Sequence, residues 1–167
     1  MILPIITTKD NNAVLHTKGR DIDDVQSPDI QALIDDMITT MYEKDGIGLA
    51  APQINKGVRI AVLCPDPENF ERYREKKDTA LIIINPNIIG HSFFKGESEE
   101  GCLSVPEIFG LVRRWKRVTV SYLDREGKKQ IIKASGLLAI CLQHEVDHLD
   151  GMLFIDRTKK LYHIPKL

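Results

Sequence analysis

The sequence predicts an α+β fold in which mixed or antiparallel β-sheets pack around a central helix that carries an H-E-x-x-H motif. Two segments have apolar residues at helical spacing, and four short runs have the composition and flanking turns of strands. The sequence has no internal repeat and no linker-like segment. We therefore expect one domain over residues 1–167, a length that can bury a substantial core.

The first predicted helix begins at Pro28, with Ser27 as its N-cap. A serine side chain can accept a hydrogen bond from the first helical turn, and a proline at the first position loses no helical hydrogen bond. The helix is expected to end near Asp45. Six apolar residues recur at helical spacing and predict a face in the core: Ile30, Leu33, Ile34, Met37, Ile38 and Met41.

The predicted strands lie at residues 58–63, 81–84, 118–123 and 129–133. The first is almost wholly apolar, which indicates a buried strand, and Cys64 after it is expected to be a small core residue. The last two are expected to pair as a hairpin. Residues 65–79 are charged and polar without an apolar period, which predicts an exposed loop with one helical turn.

The second predicted helix covers residues 136–149, with Ser135 as N-cap and Gly151 just beyond its C-terminus. Its apolar face consists of Leu137, Leu138, Cys141 and Leu142. A helix with such a face packs against a core. Its second half carries the run Q-H-E-V-D-H at residues 143–148, which contains the H-E-x-x-H motif.

This motif predicts a metal site. His144 and His148 are four residues apart, so both imidazoles project from one helix face and can reach one divalent ion. Glu145 follows the first histidine, where its carboxylate can exchange a proton with a metal-bound water. The alternative is a pair of solvated surface histidines, but a buried helix favours histidines that have a partner.

A catalytic metal usually has three protein ligands and one open position, so a third ligand is needed. Gly151 fits the extended H-E-x-x-H-x-x-G-x-x-H pattern, but Phe154 stands where that pattern has histidine. No glutamate follows Glu145, and His163 lies near the C-terminus. The third ligand is therefore expected upstream of the motif.

The cysteines are the upstream candidates. Cys64 and Cys141 lie in apolar surroundings, so core packing is the better interpretation of both. Cys102 lies in the segment E-G-C-L-S-V-P, where glycine and proline flank it and a thiolate could be aimed at a site. On the residues alone, a ligand and an ordinary loop cysteine are equally good interpretations of Cys102.

Three motifs taken together resemble those of the peptide deformylase family. Residues 46–53 read G-I-G-L-A-A-P-Q, similar to the family's G-x-G-x-A-A-x-Q, and E-G-C-L-S and Q-H-E-x-D-H follow in the family's order and spacing. The resemblance extends roughly from residue 27 to residue 156. The form E-G-C-L-S-V-P is most similar to the bacterial type I branch.

The resemblance implies that Cys102, His144 and His148 bind the metal, that Glu145 is the general acid and base, and that Gln53 and the backbone N–H of Leu103 hold the oxyanion. The implied substrate-binding residues are Gly46, Ile47 and Gly48 along the peptide backbone, Glu100, Leu137, Ile140 and Cys141 around the first side chain, and Arg114 facing the substrate. From the residues alone, Gln53 could be a surface residue, the glycines a helix end, and Arg114 a solvated strand edge.

The resemblance further implies an enzyme that removes the N-formyl group from the N-terminal methionine of new polypeptides, through attack by a metal-bound hydroxide and release of formate. One divalent ion is expected in each chain. A Cys/His₂ set suits Zn²⁺, whereas the family typically works with Fe²⁺ and accepts Ni²⁺ or Co²⁺. The implied partners are N-formylmethionyl nascent peptides and, near the exit tunnel, the ribosome. The long C-terminal helix with which many type I members contact the ribosome is not expected after residue 156.

Two other functions fit the motif less well. A metal-dependent peptidase would need a third ligand downstream of the motif, and a metal-stabilised binding module would not need Glu145. The net charge of −1 argues against bulk electrostatic binding to nucleic acid, and no direct binding of nucleic acid or membrane is expected. Three cysteines, an odd number, do not suggest a disulfide framework, and residues 1–15 do not have the pattern of a secretory signal. The lack of an Arg/Ser-rich presequence favours a bacterial cytoplasmic protein over an organellar one.

Overall fold

The computed structural model describes residues 1–164, which contain three α-helices and eight β-strands. The helices are α1 (Pro28–Glu43), α2 (Phe70–Arg74) and α3 (Gly136–Leu149). The strands are β1 (Gly48–Ala50), β2 (Ile60–Leu63), β3 (Leu81–His91), β4 (Lys95–Cys102), β5 (Val105–Trp115), β6 (Arg117–Leu123), β7 (Lys129–Ser135) and β8 (Leu161–His163). Within residues 1–164, none of the helices has the length and apolar composition needed to cross a membrane.

The strands form two antiparallel sheets, in agreement with the predicted α+β class. Five strands follow the order β1-β2-β3-β6-β7, and three follow the order β4-β5-β8. The predicted hairpin is present, since β6 and β7 pair from Arg117–Ser135 to Leu123–Lys129. Residues 165–167, the end of the predicted single domain, lie outside the described residues.

The five-stranded sheet lies between α1 and α3. Along β2, Ile60 and Val62 pack in the cluster that contains the buried face of α1, whereas Ala61 and Leu63 pack with α3. All four residues are buried, which explains why this strand is apolar throughout. A third cluster, built around Val112, lies under the three-stranded sheet.

Helix α1 ends in a tight turn that leads into the candidate site. Lys44 is the C-cap and Asp45 has a left-handed φ of 55°. The N–H of Gly46 donates to the carbonyl of Met41 at 2.9 Å, and the N–H of Asp45 donates to Tyr42 at 3.2 Å. These two bonds form a Schellman motif, which turns the chain directly from α1 into β1.

The predicted elements agree with the structure most closely at the helices. Helix α1 begins at Pro28 with Ser27 as its N-cap, and Gly151 beyond α3 has a φ of 76°. Ser135 occupies the N-cap position of α3, but its side chain makes no capping hydrogen bond among the described residues. The loop at residues 65–79 contains α2 and two 3₁₀ turns, at Pro67–Asn69 and Lys77–Thr79.

The strand predictions were less complete. Strand β2 begins two residues later than predicted, and β3 continues to His91 instead of ending at residue 84. Four strands were not predicted, namely β1, β4, β5 and β8. His163, which the sequence left without an element, lies in β8 and pairs with Ile108 of β5.

Candidate active site

The candidate site is a cavity of about 480 Å³ between the start of β1, the β4–β5 turn and the side of α3. Its walls contain most of the residues that were predicted for the site: Gly46, Ile47, Gly48, Gln53, Glu100, Cys102, Leu103, Leu137, Ile140, Cys141, His144 and Glu145. These residues come from three separate parts of the sequence, and the fold brings them together.

Three metal-ligating side chains converge at the base of this cavity. The Sγ atom of Cys102 lies 3.2 Å from Nε2 of His148, which lies 3.2 Å from Nε2 of His144. All three ligand atoms lie within 4.8 Å of one another. One thiol and two imidazoles at this separation form a donor set suited to a divalent transition metal, as the H-E-x-x-H spacing predicted for the two histidines.

Cys102 reaches this position because of an irregularity between β4 and β5. Gly101 pairs with Phe109, but Cys102 pairs with Val105, so three extra residues of β5 are accommodated at this point. Among these, Glu107 has a left-handed φ of 66°. A bulge of this kind bends a strand and redirects the side chains beside it, which here directs the thiol towards α3.

Glu145 lies against the backbone of β1. A Cβ atom added to Gly48 would lie 2.3 Å from Oε1 of Glu145, so the carboxylate can occupy this position only beside a glycine. Burial raises the pKa of Glu145 to about 7. Its Oε2 is buried and has no hydrogen-bond partner among the described residues. A buried carboxyl with this pKa can both take and return a proton near neutral pH.

Gln53 is buried beside the ligands and is not the surface residue that the sequence alone allowed. Its Oε1 accepts a hydrogen bond from the N–H of Ala50 at 2.9 Å, which fixes the orientation of the amide. Its Nε2 then points to the site and lies 3.4 Å from Sγ of Cys102. The side chain therefore presents N–H donors to the cavity.

A chain of ion pairs leads from His144 through the buried Glu100, Arg114 and Asp147 to the exposed Arg157. Oε2 of Glu100 lies 2.8 Å from Nδ1 of His144, and Arg114 donates to both oxygens of Glu100, at 2.7 and 2.9 Å. Arg114 also donates to Asp147 at 2.6 Å, and Arg157 donates to Asp147 at 2.7 Å. Burial favours the neutral acid, but the hydrogen bonds from Arg114 and His144 lower the pKa of Glu100 to about 2.

The structure corrects the prediction for Arg114. Its side chain is only 4% exposed, and its guanidinium is engaged by Glu100 and Asp147 instead of facing the cavity. The alternation of β5 explains this position, because Val112 and Arg114 point inwards whereas Arg113 is exposed. Glu100 borders the cavity as predicted, but its carboxylate serves His144 and Arg114.

The side chains of Cys102, His144 and His148 are suited to bind the divalent metal that the H-E-x-x-H motif predicts. The carboxylate of Glu100 holds the Nδ1–H of His144, which leaves Nε2 of that ring as a lone-pair donor towards Cys102 and His148. Burial and the neighbouring His144 lower the pKa of His148, which favours its neutral form. Burial opposes a charge on His144, but its hydrogen bonds to Cys102 and Glu100 raise its pKa, so binding of a metal would displace a proton from this ring. Neutral imidazole is the form in which histidine binds metals.

Three residues of this region were not among the predicted site residues. Asp147 and Arg157 complete the ion chain, and Phe109 lines the cavity with its ring over Gly101, where a Cβ atom would lie 2.7 Å away. Asp147 stands inside the Q-H-E-x-D-H run, which was the available signal for it. Arg157 and Phe109 lie outside the three motifs, so no pattern in the sequence pointed to them.

Comparison with known proteins identifies a matching family. The sequence model of the family described as polypeptide deformylase matches residues 2–163. Peptide deformylase of Rhizobium meliloti (strain 1021) is 49% identical over 133 residues, which cover 80% of this chain and 73% of that protein. Peptide deformylase 2 of Xanthomonas campestris pv. campestris is 46% identical over 164 residues, which cover 96% of this chain and 89% of that protein.

Solved structures of peptide deformylases are similar to this chain over most of its length. The crystal structure of a peptide deformylase from Legionella pneumophila has a TM-score of 0.84 and 38% identity, and the match covers 95% of this chain and 87% of that one. The Met-Ala-Ser-bound crystal structure of a class I type b peptide deformylase from Acinetobacter baumannii has a TM-score of 0.82 and 34% identity. That match covers 95% of this chain and 99% of that one.

Replacing Arg114 tests the ion chain. Arg114→Met should lower the free energy of unfolding by about 3–5 kcal/mol, because it leaves buried carboxylates without their cation. Arg113→Met is the matched control on the exposed face of the same strand and should stay within about 0.5 kcal/mol of the parent. Urea unfolding of both variants measures the difference. Equal stability of the two variants would contradict the role of Arg114 in the ion chain.

Proposed function

The chain belongs to the peptide deformylase family, and from this we propose that it hydrolyses the N-formyl group of N-terminal methionine in new polypeptides, with release of formate. The observation that carries the proposal is the convergence of Cys102, His144 and His148 beside the buried carboxylate of Glu145 in one cavity. The family is metal-dependent, and its members named above are peptide deformylases.

In this proposal, Cys102, His144 and His148 hold one divalent ion, and α3 is the central metal-binding helix of the fold. A bound ion supplies Lewis acidity, which lowers the pKa of a water and polarises the formyl oxygen. We expect Fe²⁺ from the family, with Zn²⁺, Ni²⁺ or Co²⁺ able to replace it. Glu100 keeps His144 in the required tautomer through its bond to Nδ1.

Glu145 moves the protons. Its carboxylate takes a proton from the attacking water and passes it to the nitrogen that leaves as the new N-terminal amine. The raised pKa of the buried carboxyl supports this role, since the same group must act first as a base and then as an acid. The close contact with Gly48 fixes the carboxylate on the cavity side of α3.

Gln53 and Leu103 stabilise the charge that develops on the formyl oxygen. The amide of Gln53 is already oriented by Ala50, so its Nε2 can donate without rearrangement. Leu103 follows Cys102 at the cavity wall, where its backbone N–H can serve as the second donor. Oriented donors of this kind are typically worth about 10²–10³ in rate each.

The peptide binds along β1. This strand is at the edge of the five-stranded sheet, so the segment of Gly46, Ile47 and Gly48 can pair with an extended substrate backbone. The methionine side chain enters the apolar part of the cavity, which is formed by Leu137, Ile140 and Cys141. The Met-Ala-Ser-bound relative from Acinetobacter baumannii supports a peptide that begins with methionine.

The wider context follows from the same proposal. The chain acts as one catalytic domain over residues 1–167, in the bacterial cytoplasm, on N-formylmethionyl nascent peptides. Its place of action is close to the ribosomal exit tunnel, where such peptides emerge.

Formate release from a formyl-Met-Ala-Ser peptide tests the reaction. The protein is loaded anaerobically with Fe²⁺ or Ni²⁺, and metal content is measured with activity. We expect rapid turnover, no cleavage of the unformylated Met-Ala-Ser peptide, and loss of turnover after chelation of the metal. Glu145→Gln should keep the metal and lose about 10²–10⁴ in rate. Metal-loaded protein that releases no formate would refute the proposed function.

A substitution at Gly48 tests the placement of Glu145. Gly48→Ala should reduce kcat by about 10²-fold, because the added methyl group displaces the carboxylate and small misplacements of a catalytic group have effects of this size. Gly90→Ala is the control, since its added Cβ has no neighbour closer than 3.5 Å. Unchanged kcat in Gly48→Ala, with metal content equal to the parent's, would contradict the assigned position of Glu145.

A further inference from the structure

An aromatic tip closes the hairpin between β3 and β4. Phe93 is 91% exposed and Phe94 is 70% exposed, and their rings meet edge to face with centroids 5.3 Å apart. Single exposed apolar residues are ordinary, but two adjacent phenylalanines with almost all their surface in water are not. The proposed catalytic site gives these rings no role.

The backbone of this turn is held in place by hydrogen bonds to the β5–β6 turn. The N–H of Ser92 donates to the carbonyl of Arg117 at 2.9 Å, and the N–H of Lys116 donates to the carbonyl of Phe94 at 3.2 Å. Oγ of Ser92 also donates to the carbonyl of Phe94 at 2.8 Å. The two rings are therefore displayed by an anchored turn.

Four exposed cations surround the tip: Lys95, Lys116, Arg117 and Lys133. None of them forms a salt bridge among residues 1–164. Phe94, Lys116 and Arg117 share one depression of about 500 Å³, and Arg117 and Lys133 share the neighbouring one of about 470 Å³. The nearby carboxylate of Glu97 is paired with Lys160. Although the net charge of the whole chain is −1, positive charge is therefore concentrated at this end of the molecule.

The sequence predicted no membrane binding, but from this surface we propose that the aromatic tip of Phe93 and Phe94, together with the four surrounding cations, binds the surface of an anionic lipid bilayer. The two rings enter the apolar boundary of the bilayer, and the unpaired cations lie at the level of the lipid phosphates and carboxylates. Apolar burial and attraction to anionic headgroups then act together, as they do in other peripheral membrane proteins.

A nucleic acid fits the same surface less well. Successive stacked bases need aromatic rings that lie roughly parallel, but the planes of Phe93 and Phe94 are 87° apart. Trp115 is already stacked on His91, with centroids 3.9 Å apart and planes 6° apart, and Lys95 lies 4.8 Å from its centroid. The convex tip suits insertion better than a stacking groove.

Binding at the tip leaves the candidate active site open. Strand β4 runs from Lys95 beside the tip to Cys102 in the site, a separation of roughly 23 Å for seven steps of an extended strand. A membrane-bound molecule could therefore still admit a peptide to its cavity.

Flotation with lipid vesicles tests this proposal on the full-length chain. The probes are vesicles of phosphatidylcholine alone and of phosphatidylcholine mixed with phosphatidylserine, at low and high salt. The aromatic variant is Phe93→Ser/Phe94→Ser, with Ile2→Ser as an exposed apolar control. The charge variant is Lys116→Gln/Arg117→Gln. Its control is Lys128→Gln/Lys129→Gln, at the turn that joins β6 to β7. Thermal unfolding checks that all variants are folded.

The parent should float with the mixed vesicles, much less with phosphatidylcholine alone, and less at high salt. The charge variant should lose roughly fivefold in partitioning for each cation removed, about 25-fold for the pair, and the aromatic variant at least about tenfold. Both controls should behave as the parent. Binding that is absent, or that both variants retain, overturns the proposal. Binding to single-stranded oligouridine in preference to the mixed vesicles overturns it in favour of RNA.

Discussion

The buried guanidinium of Arg114 is the interaction on which the arrangement of the candidate site depends. It comes from β5 and binds Glu100 of β4 and Asp147 of α3, so it joins the three-stranded sheet to the helix. Two carboxylates this deeply buried could not remain ionised without such a partner, because the loss of one member of a buried pair costs about 3–5 kcal/mol. The same contact sets the distance between Cys102, which β4 carries, and the histidines of α3.

Helix α3 meets two different demands on its two sides. Ala139, Leu142 and Leu149 pack against the five-stranded sheet, which fixes the helix in the core. His144 and His148 face Cys102 of β4, and Glu145 lies beside Gly48 at the edge of that sheet, so the polar groups are held by a rigid element instead of a loop. The close packing of β1 against α3 is equally constrained, because only glycine at position 48 leaves room for the carboxylate of Glu145. The proposed chemistry therefore rests on packing as much as on the identity of its ligands.

The parts of the fold that could be predicted from sequence are those specified by local signals. Helix α1 has its cap, its proline and its apolar period within one segment, and the β6–β7 hairpin has two strands separated by a short turn. Strand β4 has the sequence K-G-E-S-E-E-G-C, without the apolar alternation of a strand, because only Glu100 in it is buried. Its structure is determined by pairing with β5 and by the ion pair of Glu100, which the local sequence does not reveal.

The residues of the candidate site also divide into those that a local sequence signal predicts and those that it does not. The spacing of His144 and His148 predicted a shared ligand face from the residues alone, whereas Cys102 needed the resemblance, because a bulge with no sequence signal directs its thiol. Arg114 was misassigned since a basic run does not reveal which of its members points inwards. Its carboxylate partners lie 14 and 33 residues away, beyond any local pattern.

The most direct test of this account is the Co²⁺ affinity of an Asp147→Asn variant. Asp147 binds Arg114 and Arg157 and is not one of the proposed ligands, so its substitution weakens the ion chain without removing a ligand. Titration followed by the thiolate-to-cobalt absorption should show affinity about 10–100-fold below that of the parent in a protein that is still folded. Equal affinity in parent and variant would show that the ligands are held without this chain and would contradict the account.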